Sequence, residues 1–229
     1  MFRIKICGIT NVDDALQAIE AGADALGLNF YKRSPRYVTP EQAAEIVRAV
    51  RTSPAGRGVT IVGVFVNESQ PGLMTLQEQL KLDAWQLHGD EPVQFLAALS
   101  THPDVRVSMI RAYRCKERDL SAIANDLLAC DAAVALPSAV LLDAYAPDAF
   151  GGTGKVVDWN VVRDERDQLF GLPVILAGGL TAENVAEAVR IAQPDAVDVA
   201  SGVESSPGKK DSAKVRDFIA AAKAALAAI

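Results

Sequence analysis

Lys5-Ile6-Cys7-Gly8-Ile9-Thr10 reads as the end of a strand, a glycine turn and the start of a helix. The same order of elements repeats along the whole chain. Short apolar runs predict strands at 3–7, 24–30, 60–66, 84–88, 105–112, 139–143, 174–177 and 196–200. Helix-patterned stretches separate them, several with start signals. Thr10 precedes the acidic Asp13-Asp14 pair, and Thr39-Pro40-Glu41-Gln42 has the form of a capping box with proline at the first helical position. Thr181-Ala182-Glu183 is expected to open a helix over 184–190, and Asp211 the last one. Eight strands and eight helices in alternation predict a closed, parallel (β/α)8 TIM barrel, with residues 1–229 as its single domain. An open doubly wound sheet would also bury near-continuous apolar strands on both faces, but the count of eight favours closure. No Gly-x-Gly-x-x-Gly follows the first strand, so the usual dinucleotide signal is missing.

Composition narrows the function classes. Half of the 229 residues are apolar, 23% are charged and the formal net charge is −6. That is ordinary globular composition, and its acidic excess argues against a nucleic-acid partner. No apolar run is long enough to span a bilayer, and no signal-peptide core follows Met1. Membrane association is therefore not expected. Cys7, Cys115 and Cys130 are odd in number and widely spaced. They fit a reducing, cytoplasmic setting and give neither a disulfide framework nor a metal-ligand spacing. His88 and His102 lack an i, i+4 partner, so no metal site is expected. His102 lies in a Thr-His-Pro turn and receives no role.

In a parallel barrel, side chains at the carboxyl ends of the strands line the active site. Cys7 ends the first strand and is a candidate for proton chemistry or nucleophilic attack. A small buried core thiol is the plainer reading of an isolated cysteine. Asp143 ends the sixth strand, where a carboxyl can act as a general acid or as a cap. His88 closes the fourth strand and can bond a substrate or hold a neighbouring loop. Arg36, in the loop after the second strand, can grip a carboxylate or phosphate through two parallel hydrogen bonds. Glycine turns follow the last three strands: Gly151-Gly152-Thr153-Gly154, Gly178-Gly179-Leu180 and Ser201-Gly202-Val203. Their backbone N–H groups can cradle a phosphate, and barrels often hold one after strands seven and eight. The binding residues expected there are Gly152, Gly178, Gly179, Ser201 and Gly202. Strand alternation puts Lys5 on the same face as Cys7, and Asp198 with Ala200 on the adjoining last strand. A buried lysine needs a partner, and Asp198 is the best placed. The pair would lie beneath the substrate and help Cys7 ionise.

Together these segments resemble the phosphoribosylanthranilate isomerase family of tryptophan biosynthesis. The matching stretches are Lys5–Thr10, Ser34-Pro35-Arg36, Val62–Asn67, Gln86-Leu87-His88-Gly89, Leu142-Asp143, Gly151–Gly154, Ala177–Leu180 and Asp198–Glu204. They run in order over nearly the whole chain. The one departure is Lys155-Val156-Val157-Asp158-Trp159, where the family usually carries an aromatic before Asp-Trp. The resemblance implies a cofactor-free Amadori rearrangement of N-(5-phosphoribosyl)anthranilate by a monomer or homodimer. It implies Asp143 as the acid that opens the ribose ring and Cys7 as the base at C2. Arg36 would hold the anthranilate carboxylate and the glycine turns the phosphate. Two other readings are the sister sugar-phosphate isomerase of histidine biosynthesis and a non-catalytic barrel that binds a phosphorylated metabolite. The first needs two matched phosphate sites, whereas the glycine turns here cluster in the second half of the chain.

Overall fold

A computed structural model describes residues 1–115, 119–144 and 157–229. Eight parallel strands close into one barrel in sequence order: β1 Ile4–Cys7, β2 Ala25–Asn29, β3 Thr60–Phe65, β4 Ala84–Leu87, β5 Ser108–Cys115, β6 Ala139–Ala144, β7 Val174–Leu176 and β8 Ala196–Val199. β1 pairs with both β2 and β8, so no sheet edge remains in the barrel. The helices between and after the strands are α1 Val12–Ala21, α2 Pro40–Thr52, α3 Gln70–Leu80, α4 Val93–Ser100, α5 Ser121–Ala132, α6 Trp159–Asp164, α7 Val185–Ala192 and α8 Ser212–Leu226. The expected barrel is the observed one, and the open sheet is excluded.

Alternation along each strand makes two cores. Outward residues such as Ile6, Leu26, Trp85, Leu142 and Val197 pack against the helices. Inward residues fill the barrel itself, with Ala25, Ala84, Ala139 and Ala196 on the even strands and Val62, Ile110 and Ile175 on the odd ones. Alanine on every second strand leaves room for the branched side chains of its neighbours, as layered barrel packing requires. Above this apolar floor the inward positions turn polar: Lys5, Gln86, His88, Asp143 and Asp198 are all buried. That change of chemistry marks where packing ends and the site begins.

The local start signals are mostly as read. Thr39 and Gln42 form the reciprocal capping box of α2, and Asp211 accepts the N–H groups of Ala213 and Lys214 at α8. α1 is capped by Asn11 and not by Thr10. Thr10 instead donates its hydroxyl to the Gly208 carbonyl. α7 starts at Val185, one residue later than expected, because Asn184 turns its side chain back to accept the Thr181 N–H. β5 is shifted towards its carboxyl end relative to the expected 105–112. The segment after Val203 is a two-stranded hairpin, with β9 Glu204–Ser206 and β10 Lys209–Lys210 antiparallel.

Candidate active site

One pocket opens at the carboxyl ends of the strands. Cys7, Arg36, His88, Asp143, Gly178, Gly179, Asp198, Ser201 and Gly202 all line it, so residues 195 positions apart in sequence (202 minus 7) meet at one mouth. Of the expected site residues only Gly152, with its turn 151–154, lies outside the described residues. Sequence reasoning missed Gln86, Asn29 and Ser34, which also line the pocket. It also assigned no role to Glu204 and Lys210.

Lys5 and Asp198 stand opposite each other in the β1–β8 register, and Lys5 Nζ donates to Asp198 Oδ1 at 2.9 Å. This is the pair that strand parity predicts. Lys5 has no solvent exposure. Burial opposes its charge, but Asp198 and Cys7 together outweigh burial and hold its pKa above the ordinary value. The expected benefit to Cys7 is only partial. Burial raises the Cys7 pKa more than Lys5 lowers it, and Asp198 adds to the rise. The Cys7 thiol is therefore harder to ionise than a free one. The lysine limits the penalty of burial and does not reverse it.

Cys7 is held from the side by β2. Gly27 pairs with Cys7, and a Cβ at Gly27 would sit 2.7 Å from Cys7 Sγ and 3.1 Å from its Cα. Glycine is needed there because the thiol occupies that space. Gly8 follows Cys7 in the left-handed region, φ 73°, and its bare Cα is covered by the aliphatic part of Arg36. One turn thus aims the thiol into the barrel and seats the arginine over it.

Asp143 ends the inward face of β6. Burial lifts its pKa, Asp198 lifts it further, and the Ala144 N–H, Lys5 and Arg114 pull it down, leaving it at about 7. A carboxyl with that value is available as an acid at neutral pH. His88 Nε2 lies 3.5 Å from Asp143 Oδ2. Burial first, then Lys5 and Arg114, push the His88 pKa down to about 3, so the imidazole is neutral and the contact is not an ion pair. Gln86 Nε2 approaches His88 Nδ1 at 3.2 Å from the same strand face. With the amide so placed, Nδ1 accepts and Nε2–H points at Asp143. His88 therefore does not tie down a loop; it sits beside the carboxyl in the barrel mouth.

Arg36 departs from expectation in one respect. Its Nε and one Nη2 hydrogen are taken by the protein's own Glu204, at 2.8 and 2.7 Å. The other edge of the guanidinium, formed by Nη1 and the second Nη2 hydrogen, is not engaged by Glu204. The turns at Gly178–Gly179 and Ser201–Gly202 stand side by side at the mouth. They interlock, since a Cβ on Gly202 would overlap the Leu180 carbonyl oxygen. Among the described residues no group of three or more metal-ligating side chains occurs, and no helix is long and apolar enough to cross a membrane.

A thiol and a neutral-range carboxyl across one barrel mouth, beside paired glycine turns and a buried arginine, define a barrel enzyme that moves protons on an anionic ligand. The comparisons give the particular family. The family model described as N-(5'-phosphoribosyl)anthranilate (PRA) isomerase matches residues 4–221. The isomerase of Geobacter metallireducens is 46% identical over 225 residues, covering 98% of this chain and 100% of that one. The isomerase of Pseudomonas fluorescens is 45% identical, covering 96% of this chain and 98% of its own. The crystal structure of phosphoribosyl anthranilate isomerase from Thermotoga maritima superposes with a TM-score of 0.82 at 38% identity, covering 98% of this chain and 100% of that one. A further isomerase structure, in complex with reduced 1-(o-carboxyphenylamino)-1-deoxyribulose 5-phosphate, gives a TM-score of 0.79 at 37% identity over 98% of this chain and 100% of that one. The chain belongs to the N-(5'-phosphoribosyl)anthranilate isomerase family.

Proposed function

We propose that this chain catalyses the Amadori rearrangement of N-(5'-phosphoribosyl)anthranilate without a cofactor, with Asp143 as acid and Cys7 as base. The observation that carries the assignment is the placement of these two groups, on β6 and β1, in one buried pocket. Asp143 gives its proton to the ribose ring oxygen as the ring bond to C1 breaks. The substrate nitrogen supplies the electron pair, and an iminium ion forms at C1. That cation acidifies C2. Cys7, as thiolate, removes the C2 proton. The C–H pair becomes the C1=C2 bond while the C=N pair returns to nitrogen. The resulting enolamine tautomerises to the ketone, losing the C2 hydroxyl proton and gaining one at C1, so the molecular formula is unchanged.

Binding follows from the charges at the mouth. The turns Gly178–Gly179 and Ser201–Gly202 hold the phosphate, joined by Gly152 from the sixth loop. The outer edge of Arg36 holds the anthranilate carboxylate. Asp198 and His88 face the ribose hydroxyls. The free thiols fit a cytoplasmic setting, and a monomer or homodimer suffices because every group named comes from one chain.

The direct test is fluorescence. Purified protein should quench freshly generated phosphoribosylanthranilate with no metal or cofactor added. Binding of the fluorescent compound without turnover would support a non-catalytic barrel instead. Arg36→Ala should chiefly raise KM, costing roughly 2–4 kcal/mol of binding for a desolvated charge-assisted pair. Part of that loss comes from Glu204, which loses two hydrogen bonds. A product analogue without the carboxylate separates the two contributions. It should lose little further affinity in Arg36→Ala, and full additivity would show that Arg36 does not touch the carboxylate.

A further inference from the structure

Two charged side chains buried beside the pocket have no part in the proton transfers. Glu204 and Lys210 are 7% and 6% exposed and face each other across the open end of the β9–β10 hairpin. Glu204 Oε1 accepts from Arg36 Nε at 2.8 Å and from Lys210 Nζ at 2.9 Å. Its Oε2 accepts from Arg36 Nη2 at 2.7 Å. Lys210 Nζ also donates to the Ala200 carbonyl at 3.1 Å, and its backbone N–H to Asp14 Oδ2 at 2.8 Å. A carboxylate that takes two arginine hydrogens and a lysine is fixed in position. Burial opposes its ionisation, but Arg36 and Lys210 outweigh burial and hold its pKa below the ordinary value.

We infer that Glu204 is a positioning residue for Arg36 and sets the preference for a carboxylated ligand. The inference rests on the reading that Arg36 meets the ligand carboxylate. A guanidinium has two edges that can each bind a carboxylate with two parallel bonds. Glu204 occupies the side edge, and the end edge is left unengaged by Glu204 on an arginine that lines the pocket. An arginine on a loop otherwise samples many rotamers, and pinning one edge removes that freedom before the ligand arrives. The second effect is on charge. Arg36, Lys210 and Glu204 together carry two positive charges and one negative. Glu204 therefore orients Arg36 without cancelling the positive charge, because Lys210 restores it. Lys210 is placed by the hairpin, and the hairpin is anchored to the β1–α1 turn through Thr10–Gly208 and to α1 through Asp14–Lys210.

The test compares Glu204→Gln and Glu204→Asp with the wild type and Arg36→Ala. Each is assayed for KM and kcat, and for inhibition by two reduced product analogues, with and without the ring carboxylate. Glutamine loses the charge and places an N–H against the arginine; aspartate keeps the charge but withdraws it by one methylene. Glu204→Gln should raise KM about tenfold or more with kcat changed less than about threefold, a loss of uniform binding. Its preference for the carboxylated analogue should fall towards that of Arg36→Ala, and Glu204→Asp should lie between glutamine and the wild type. Equal weakening of both analogues in the two variants would assign Glu204 a purely structural role and overturn the inference. So would a wild-type preference in both. If Arg36→Ala itself keeps the preference, the assignment of Arg36 fails and this inference fails with it. If only the Glu204 variants keep it, the inference alone fails.

Discussion

Cys7→Ser should lower kcat by about 10²–10⁴-fold with a much smaller change in KM. The substitution keeps the shape of the side chain and removes the acid–base chemistry. A hydroxyl in this pocket is far weaker as a proton acceptor, because it is essentially un-ionised at any pH the fold survives. Serine is smaller than cysteine, so the close approach of Gly27 to Sγ is relieved and not worsened. Loss of activity therefore cannot be ascribed to a clash. Lys5 and Asp198 remain paired beneath the site, so the barrel floor is undisturbed. Steady-state kinetics together with thermal unfolding would check this. A variant with near wild-type kcat would show that C2 is deprotonated by another group, such as Asp198, a buried carboxylate lining the same pocket.

How the thiol becomes a thiolate is an electrostatic question. Burial opposes it, Lys5 and more weakly Lys210 favour it, and Asp198 partly cancels Lys5. In the proposed mechanism the iminium formed in the first step adds a positive charge next to Cys7 at the moment the base is needed. A transient cation in a buried pocket is worth more than one in water. Ring opening by Asp143 and ionisation of Cys7 thus support each other. The order of steps follows: the acid acts first, and the base is most effective once the cation exists.

Much of this was legible in the sequence because barrels turn local pattern into position. The eight apolar runs give the strands, and strand ends give the rim. The Lys5–Asp198 pair follows from alternation alone once β8 is known to adjoin β1, and the register pairs those two residues directly. The errors have physical causes. The fifth strand is expected to stop at Ala112 because Tyr113 and Arg114 follow the apolar run. The chain stays extended since Arg111 and Tyr113 face outward and share the Asp126 carboxylate of α5, at 2.7, 3.0 and 2.8 Å. Charges satisfied by a helix 15 residues on leave no trace in local hydropathy. Glu204 was quoted as part of a motif but not as a partner of Arg36, since the two are 168 residues apart in sequence. The balance that raises Cys7 is likewise invisible, because it depends on how deep the thiol lies relative to two opposite charges.

Asp143→Asn should lower kcat by a similar factor, about 10²–10⁴-fold, by removing the proton that opens the ring. Asparagine fits the same space, and its oxygen can still accept the Ala144 N–H that Asp143 Oδ1 now accepts at 2.8 Å. The fold should persist while the chemistry stops. The pH profile offers a second, independent readout. The acid must be protonated and the base ionised, yet Asp143 titrates at about 7 and Cys7 above its ordinary value. The productive form, neutral Asp143 with thiolate Cys7, is therefore a minority at every pH. It carries the same number of protons as the dominant form, ionised Asp143 with neutral Cys7, so its share is constant between the two pKa values. The ratio kcat/KM should accordingly rise with pH to a plateau beginning near 7 and fall again as the second proton leaves above the ordinary thiol range. The two apparent values belong to the coupled pair and not to either residue alone. The lower limb is set by burial of Asp143 and by Asp198 on β8, the Ala144 N–H on β6, Lys5 on β1 and Arg114 on β5, while neutral His88, just after β4, also faces it. Asp143→Glu, which keeps a carboxyl but changes its burial, should retain some activity and shift the lower limb. A lower limb that stays fixed in Asp143→Glu would show that Asp143 does not titrate there and would remove it as the acid.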